Sequence, residues 1–341
     1  MPSRRLCFRN LRENALFRGN SLRDVSGKTY VQQSPGVLQE ALYLTLALKA
    51  FIMHAEFEEK TYEQHLTSEL VHNRRLFFPP GQVLEDILGF DVALRTSNHH
   101  FWKLFPHMYQ WWRQMFFMHP SGTQLRHEWW KKLEHNIEHF PQFKFNCFIQ
   151  AKRPNRMVRS DAAEFGSWKK PYFRYDTFAS QQQALESLAQ KTIGKAIVVY
   201  ACPAFHTYSE LWAAINSGKL IKESNFCEIA KLNGHDRYSF VSPGNHGVAH
   251  SEPTPIESRP FEQALEALQD QSPRQSNSAF LAETAEVIVS ASEQLGGLRE
   301  TYSSLAETLF QEANSDLAKS LAKIYAFQFV CNVQLLIGYD G

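Results

Sequence analysis

The pattern of hydrophobic and polar positions predicts a chain in which helices and strands follow one another. Apolar residues at helical spacing predict helices over residues 34–57 and 61–77, and a shorter helix over 83–88. A Gly-Phe pair ends that short helix, and a strand is predicted over residues 91–94. Residues 98–142 then predict an insertion, rich in aromatic side chains and histidines, that is helical.

Residues 147–152, CFIQAK, have the alternation of a strand, but one face of that strand is unexpectedly polar. Successive side chains of a strand point to opposite faces, so Phe148, Gln150 and Lys152 share one face. Burying an amide and an ammonium beside a phenylalanine is costly unless both groups are partnered or have a function. The alternative is that Gln150 and Lys152 form the solvated face of an edge strand.

The pattern after this strand predicts a crossover to a second, fully buried strand. A helix is predicted over residues 179–192, and the unbroken apolar run over 196–201 is typical of a parallel strand that is covered on both faces. Three prolines over residues 251–260 predict a boundary, and the remaining chain has helical spacing. The sequence therefore predicts an α/β core over residues 1–256 and a helical C-terminal extension over 257–341.

Composition narrows the class of protein. Charged residues interrupt every long apolar stretch, so none reaches the roughly 20 residues that a membrane span needs. No apolar segment follows the basic residues at the start, which argues against a signal peptide. The five cysteines are far apart and form no CxxC pair, so neither a zinc site nor a disulfide framework is expected. These features predict a cytoplasmic protein without a membrane anchor.

Charge is unevenly distributed. Acidic residues outnumber basic ones from Glu257 onward, which makes the C-terminal extension a poor DNA binder and predicts an interface there for a partner protein or a second copy. Residues 144–174 instead carry eight basic residues against Asp161 and Glu164. Such a cluster is either a solvated loop or a surface that binds phosphates. The candidates for nucleic-acid binding are Arg153, Arg156, Arg159, Lys169 and Lys170.

One further polar residue, Asp91, lies in a predicted strand, between Phe90 and Val92. If that strand pairs with the CFIQAK strand, its carboxylate meets the Gln150 amide and the Lys152 ammonium. Carboxylate and amide oxygens suit Mg²⁺, with Mn²⁺ as a possible substitute, and a lysine beside the ion stabilises extra charge on a phosphate. The three residues therefore predict phosphodiester hydrolysis.

The order GFD, a strand ending in IQAKR, a helix and a buried strand resembles the PD-(D/E)xK nuclease superfamily, especially its Mrr-type restriction members with a QxK motif. The resemblance implies a restriction-endonuclease-like mixed sheet flanked by helices. It also implies Mg²⁺-dependent DNA cleavage, with Asp91 and Gln150 at the metal and Lys152 as the catalytic lysine. The long separation between Asp91 and Gln150 departs from compact members and requires the aromatic insertion.

Many members of this superfamily add a glutamate from a helix before the acid strand. Glu85 is the favoured candidate because it lies directly before Asp91, and it would act both in catalysis and as a metal ligand; Glu63, Glu69 and Glu40 are alternatives. Gln181 has the position at which related nucleases place a polar residue toward the site. The expected function is DNA cleavage in bacterial restriction or anti-phage defence. The alternative is a catalytically impaired subunit that binds nucleic acid or a partner protein in a multi-component defence complex.

Overall fold

The structure is a computed structural model, and it describes two short strands near the start and most of the chain from residue 53 onward. The described ranges are 21–23, 29–31, 53–74, 77–78, 137, 141–270, 275–310 and 315–339. The first compact unit, residues 1–51, contains strands β1 (Ser21–Arg23) and β2 (Thr29–Val31), which pair antiparallel. The second compact unit, residues 52–341, contains the CFIQAK strand.

The second unit alternates strands and helices before it ends in a run of helices and a last strand. In chain order its elements are β3 (Met53–His54), α1 (Glu59–Arg74), β4 (Phe77–Phe78), β5 (Phe143–Ala151), β6 (Asn155–Met157), α2 (Phe165–Trp168), β7 (Tyr172–Asp176), α3 (Ala179–Lys191), β8 (Ala196–Pro203), α4 (Tyr208–Asn216), β9 (Ser224–Glu228), β10 (Arg237–Phe240), β11 (His246–His250), β12 (Thr254–Glu257), α5 (Phe261–Gln269), α6 (Asn277–Ser292), α7 (Arg299–Phe310), α8 (Asp316–Cys331) and β13 (Gln334–Tyr339). Short 3₁₀ helices cover Ile229–Leu232 and Gly296–Leu298.

These strands form two sheets. The first has the order β4-β13-β5-β8-β9, and the second has the order β12-β11-β10-β7-β6-β3. The first sheet is mixed, because β5 and β8 are parallel whereas its other described pairs are antiparallel. The prediction of an α/β chain with a mixed sheet flanked by helices is therefore confirmed.

The predicted crossover to a buried parallel strand is also confirmed. β5 and β8 pair in parallel from Asn146 opposite Ala196 to Ala151 opposite Ala201. Phe148 and Val198 face a core formed with α3, α6 and α8, while Ile149 and Val199 face a core formed with α1, α4 and α5. Each large side chain buried in this way stabilises the fold by about 1.5–3 kcal/mol. The sheet therefore holds β5 firmly from both faces.

The end of the chain differs from the sequence prediction. Helical spacing predicted a helix to residue 337, but α8 ends at Cys331, and Asn332 has the left-handed φ of 49° that ends a helix. The apolar residues that follow form β13, which pairs antiparallel with β5 from Gln334 opposite Ile149. The short apolar run Leu335–Ile337 fits a buried strand as well as a helix, so periodicity alone did not separate the two.

The apolar faces of the C-terminal helices are covered by the chain itself. Leu317, Ile324 and Phe327 of α8 are buried in the core that Phe148 and Val198 share. The apolar face of α8 is therefore core surface. The interface, which was predicted from the acidic balance after Glu257, stays a prediction.

The basic segment after β5 contains regular structure, and Arg159, Lys169 and Lys170 lie in exposed bends between its elements. β6 and β7 pair antiparallel within it, and the short helix α2 joins them. The buried Glu164 carboxylate accepts a 2.6 Å hydrogen bond from the Tyr172 hydroxyl and forms a 2.8 Å ion pair with Arg237 of β10. This buried acid therefore ties the basic segment to the second sheet.

Other predicted elements fall on residues that the structure does not describe. These are most of the helix over 34–57, the helix over 83–88, the strand over 91–94 and almost all of the insertion over 98–142. At the end of the first of these ranges, Met53–His54 is the strand β3. Among the helices that the structure describes, none combines the length and apolar character required for crossing a bilayer.

The close contact between β13 and β5 predicts a sensitive position at Gly338. A Cβ atom there would overlap the ring of Phe145, which is fully buried on β5. We expect Gly338→Ala to lower the free energy of unfolding by about 1–3 kcal/mol, because a packed core accommodates an added methyl group poorly. Urea unfolding measures the change. Gly297→Ala is the control, since its Cβ would meet no described atom within 4 Å; equal stability of the two variants would contradict the packing.

Candidate functional site

Gln150 and Lys152 lie on one buried face at the end of β5. Their exposed fractions are 1% and 5%, and the Lys152 amide continues the sheet by donating a 2.8 Å hydrogen bond to the Ala201 carbonyl oxygen. β5 is a central strand, with β8 on one side and β13 on the other. The two side chains are therefore not the solvated face of an edge strand.

The Gln150 amide is held by two neighbouring helices. Its Nε2 donates a 2.7 Å hydrogen bond to the Cys331 carbonyl oxygen at the end of α8 and a 3.3 Å bond to Gln181 Oε1 in the first turn of α3. Gln181 Nε2 donates in turn to the Val330 carbonyl oxygen at 3.0 Å. Gln150 Oε1 is enclosed and accepts no hydrogen bond from any described residue. The structure thus brings Gln150 and Gln181 together and leaves one amide oxygen free to act as a ligand.

The Lys152 ammonium lies between two aromatic rings. Its Nζ is 5.0 Å from the centroid of the Tyr200 ring and 5.7 Å from that of Phe178. Within the described part of the chain it forms no hydrogen bond and no ion pair. Burial lowers the pKa of this ammonium, and the Glu59 and Asp176 carboxylates oppose that shift. The result is a nearly buried cation between two ring faces, and no described residue accepts a hydrogen bond from it.

Glu59 is a candidate site residue that the sequence prediction missed. Its Oε1 accepts a 2.6 Å hydrogen bond from Asn332 Nδ2, and its Oε2 accepts a 3.3 Å bond from the Arg153 amide. Glu59 and Gln150 therefore contact the consecutive residues Asn332 and Cys331. The helical pattern was predicted to begin at residue 61, which left Glu59 outside the helix, although it is the acidic first residue of α1.

The predicted acids Asp91 and Glu85 lie outside the described residues, and so does Glu40. Their convergence with Gln150 required the strand around Asp91 to pair with β5. Both edges of β5 are already occupied, by β8 over residues 146–151 and by β13 over residues 143–149. The pairing that the prediction assumed is therefore not the one that β5 makes.

Glu63 and Glu69, the other described glutamates predicted as site candidates, form hydrogen bonds with other residues and not with Lys152. Glu63 accepts two hydrogen bonds from the Lys60 ammonium, at 2.8 and 2.9 Å; burial raises the pKa of its carboxyl and Lys60 opposes the shift. Glu69 accepts hydrogen bonds from the backbone amides of Leu220 and Ile221, at 2.8 and 3.2 Å. Both carboxylates therefore have structural partners, and α1 offers Glu59 to the site instead.

The described residues fit a magnesium ion only in part. Gln150 Oε1 and the Glu59 carboxylate are oxygen ligands of the type that Mg²⁺ takes, and Mg²⁺ commonly binds one or two carboxylates and completes its shell with water. Among the residues that the structure describes, no group of three histidine, cysteine or acidic side chains could hold a metal. The carboxylates that the sequence predicted as ligands, Asp91 and Glu85, lie outside the described residues.

The predicted DNA-binding residues differ in their availability. Arg153 donates to the Ala55 carbonyl oxygen and pairs with Glu58, and Arg156 lies 3.3 Å from His206 Nδ1 and over the Phe173 ring. Arg159 is half-exposed and pairs with Asp161 at 2.9 Å. The side chains that remain at the surface for phosphates are those of Arg159, Lys169 and Lys170.

Comparisons with known proteins find no relative of this chain. No protein-family model matches the chain, and neither the search of curated proteins nor the search of solved structures gives a significant match.

Proposed function

We propose that the protein is a metal-dependent DNA endonuclease that hydrolyses phosphodiester bonds with Lys152 as its catalytic lysine. The observation that carries this proposal is the Lys152 ammonium, nearly buried and without a hydrogen-bond partner among the described residues. Burying such a cation destabilises the folded state, because the removal of a charge from water is unfavourable. An anionic substrate group bound beside it would supply the missing partner.

The arrangement around Lys152 suits a phosphate whose charge increases during reaction. A cation in a dry, fixed position stabilises developing negative charge more strongly than a solvated one. The rings of Tyr200 and Phe178 hold the ammonium without neutralising it, so its full charge remains available to the substrate. A bound Mg²⁺ would activate the attacking water and neutralise charge on the phosphate, with Gln150 and Glu59 as the described side chains able to contact it.

A second candidate function is a nuclease-like subunit that binds nucleic acid without cutting it. The observation that favours it is the engagement of the Glu59 carboxylate, whose two oxygens already accept hydrogen bonds from Asn332 and Arg153. A second carboxylate ligand, as the sequence predicts for Asp91 or Glu85, would strengthen metal binding. Either function would suit bacterial restriction or anti-phage defence, a role inferred from the resemblance alone.

Cleavage of plasmid DNA tests the proposal. We expect nicking or linearisation that requires Mg²⁺ or Mn²⁺ and stops with a chelator. We also expect Glu59→Gln to raise the Mg²⁺ concentration that gives half-maximal cleavage by about tenfold, in the range typical for groups that support a metal. Glu58→Gln is the matched control, because Glu58 is an exposed neighbour that pairs with Arg153. DNA binding without cleavage in any divalent metal would instead establish the binding subunit.

A further inference from the structure

Phe178 is an exposed aromatic side chain next to the proposed catalytic lysine. Its exposed fraction is 69%, whereas most phenylalanines of the described core are buried. It is the N-cap residue of α3, and its ring centroid lies 5.7 Å from Lys152 Nζ. An apolar ring left in solvent at this place offers a surface to a ligand that binds beside Lys152.

The start of α3 supplies hydrogen-bond donors at the same place. Phe178 makes no side-chain cap, so the first amides of α3 have no capping acceptor from that residue, and Ala179 is exposed. The first amides of a helix bind anions because they point outward and lie at the positive end of the helix dipole. The Lys152 ammonium, 5% exposed and without a hydrogen-bond partner among the described residues, is an independent indication of an anion here.

We infer that this site takes single-stranded or locally unpaired DNA, with a phosphate between Lys152 and the start of α3 and the adjacent base stacked on Phe178. This inference rests on the proposed function, because it names the substrate of the same site. A base in an intact duplex is stacked on its neighbours and presents only its edges in the grooves. A base in a single strand presents its face, and an aromatic side chain stacks on it whatever its sequence.

Binding measurements without divalent metal test the inference apart from cleavage. The full-length protein is titrated with a short fluorescent single strand and with a hairpin duplex of the same composition. We expect Phe178→Ala to weaken binding of the single strand about tenfold, the scale of one lost base stack, and to leave binding of the duplex unchanged. Phe178→Trp should restore the affinity, because it restores a stacking surface. Trp212→Ala is the control, an exposed aromatic side chain on α4.

The outcomes separate this inference from the proposed function. Equal effects of Phe178→Ala on the two DNA forms, or no effect on either, would overturn the inference even if the protein cuts DNA in Mg²⁺. A selective loss of single-strand binding that tryptophan reverses would support it, even if no metal yields cleavage and the nuclease proposal fails.

Discussion

Replacing Lys152 by alanine is expected to lower the rate of DNA cleavage by about 100-fold to 1,000-fold and to lower DNA affinity far less. The ammonium faces charge that increases in the transition state, so its loss affects the reaction more than binding. Single-turnover cleavage at saturating protein measures the rate, and fluorescence anisotropy without metal measures the affinity. Lys222→Ala is the matched control, because Lys222 is an exposed lysine outside the basic segment.

A triple variant with Arg159, Lys169 and Lys170 changed to alanine should show the opposite result. These exposed cations would contact phosphates, so their loss should weaken binding. The slope of log affinity against log salt concentration should also become shallower by about two to three, one for each lost contact. Cleavage should recover at low salt. If the complex of Lys152→Ala with DNA still cleaves at the wild-type rate, Lys152 contributes to binding only and is not a catalytic residue.

The buried state of Lys152 also sets the expected pH dependence of cleavage. Burial lowers the pKa of its ammonium, so the charge is lost at a lower pH than for an exposed lysine. If the charged form is the active one, the rate falls as the pH rises through this lowered pKa. The Lys152→Ala variant should lack this alkaline decline.

Ending the chain after Asn332 is expected to unfold the second compact unit. This truncation removes β13, whose Leu335, Leu336 and Ile337 are fully buried and pack on both faces of the sheet. Shortening one such side chain to alanine typically lowers the free energy of unfolding by about 2–5 kcal/mol. The total free energy of unfolding of a domain is only about 5–15 kcal/mol, so losing three of these side chains removes most of it. Circular dichroism and thermal unfolding measure the loss.

A chain ending after Tyr339 is the control for this truncation, because it retains all of β13. It should keep the cooperative unfolding of the full chain. A soluble, cooperatively folded protein ending at Asn332 would show that β13 is dispensable.

The sequence predicted the elements whose signals are local. The unbroken apolar run of β8 identified a strand buried on both faces, and alternation around Gln150 and Lys152 placed these side chains on one face of β5. The spacing of α3 likewise placed Gln181 in its first turn, where it meets Gln150. Period and residue type are sufficient for such statements because they depend only on neighbouring positions.

The partners of the site could not be predicted in the same way. The pairing of β5 with β13 and the approach of Glu59 to Asn332 join residues that are distant in sequence, and no local pattern encodes them. The apolar run that became β13 also follows a helix without a proline or glycine between them, so helical spacing was the simpler interpretation. The exposure of Phe178 likewise depends on the folded structure, and the local sequence does not predict it.

The bond between Gln150 and Cys331 has a consequence for synthesis, because it joins residues 181 positions apart. At about 5–20 residues per second, roughly 10–40 s pass on the ribosome between the appearance of one residue and the other. Through that interval β5 lacks β13, and its edge can pair with other strands. The proposed metal-binding groups are therefore assembled late, and an unfinished chain would carry Gln150 and Glu59 without the residues Cys331 and Asn332 that hold them.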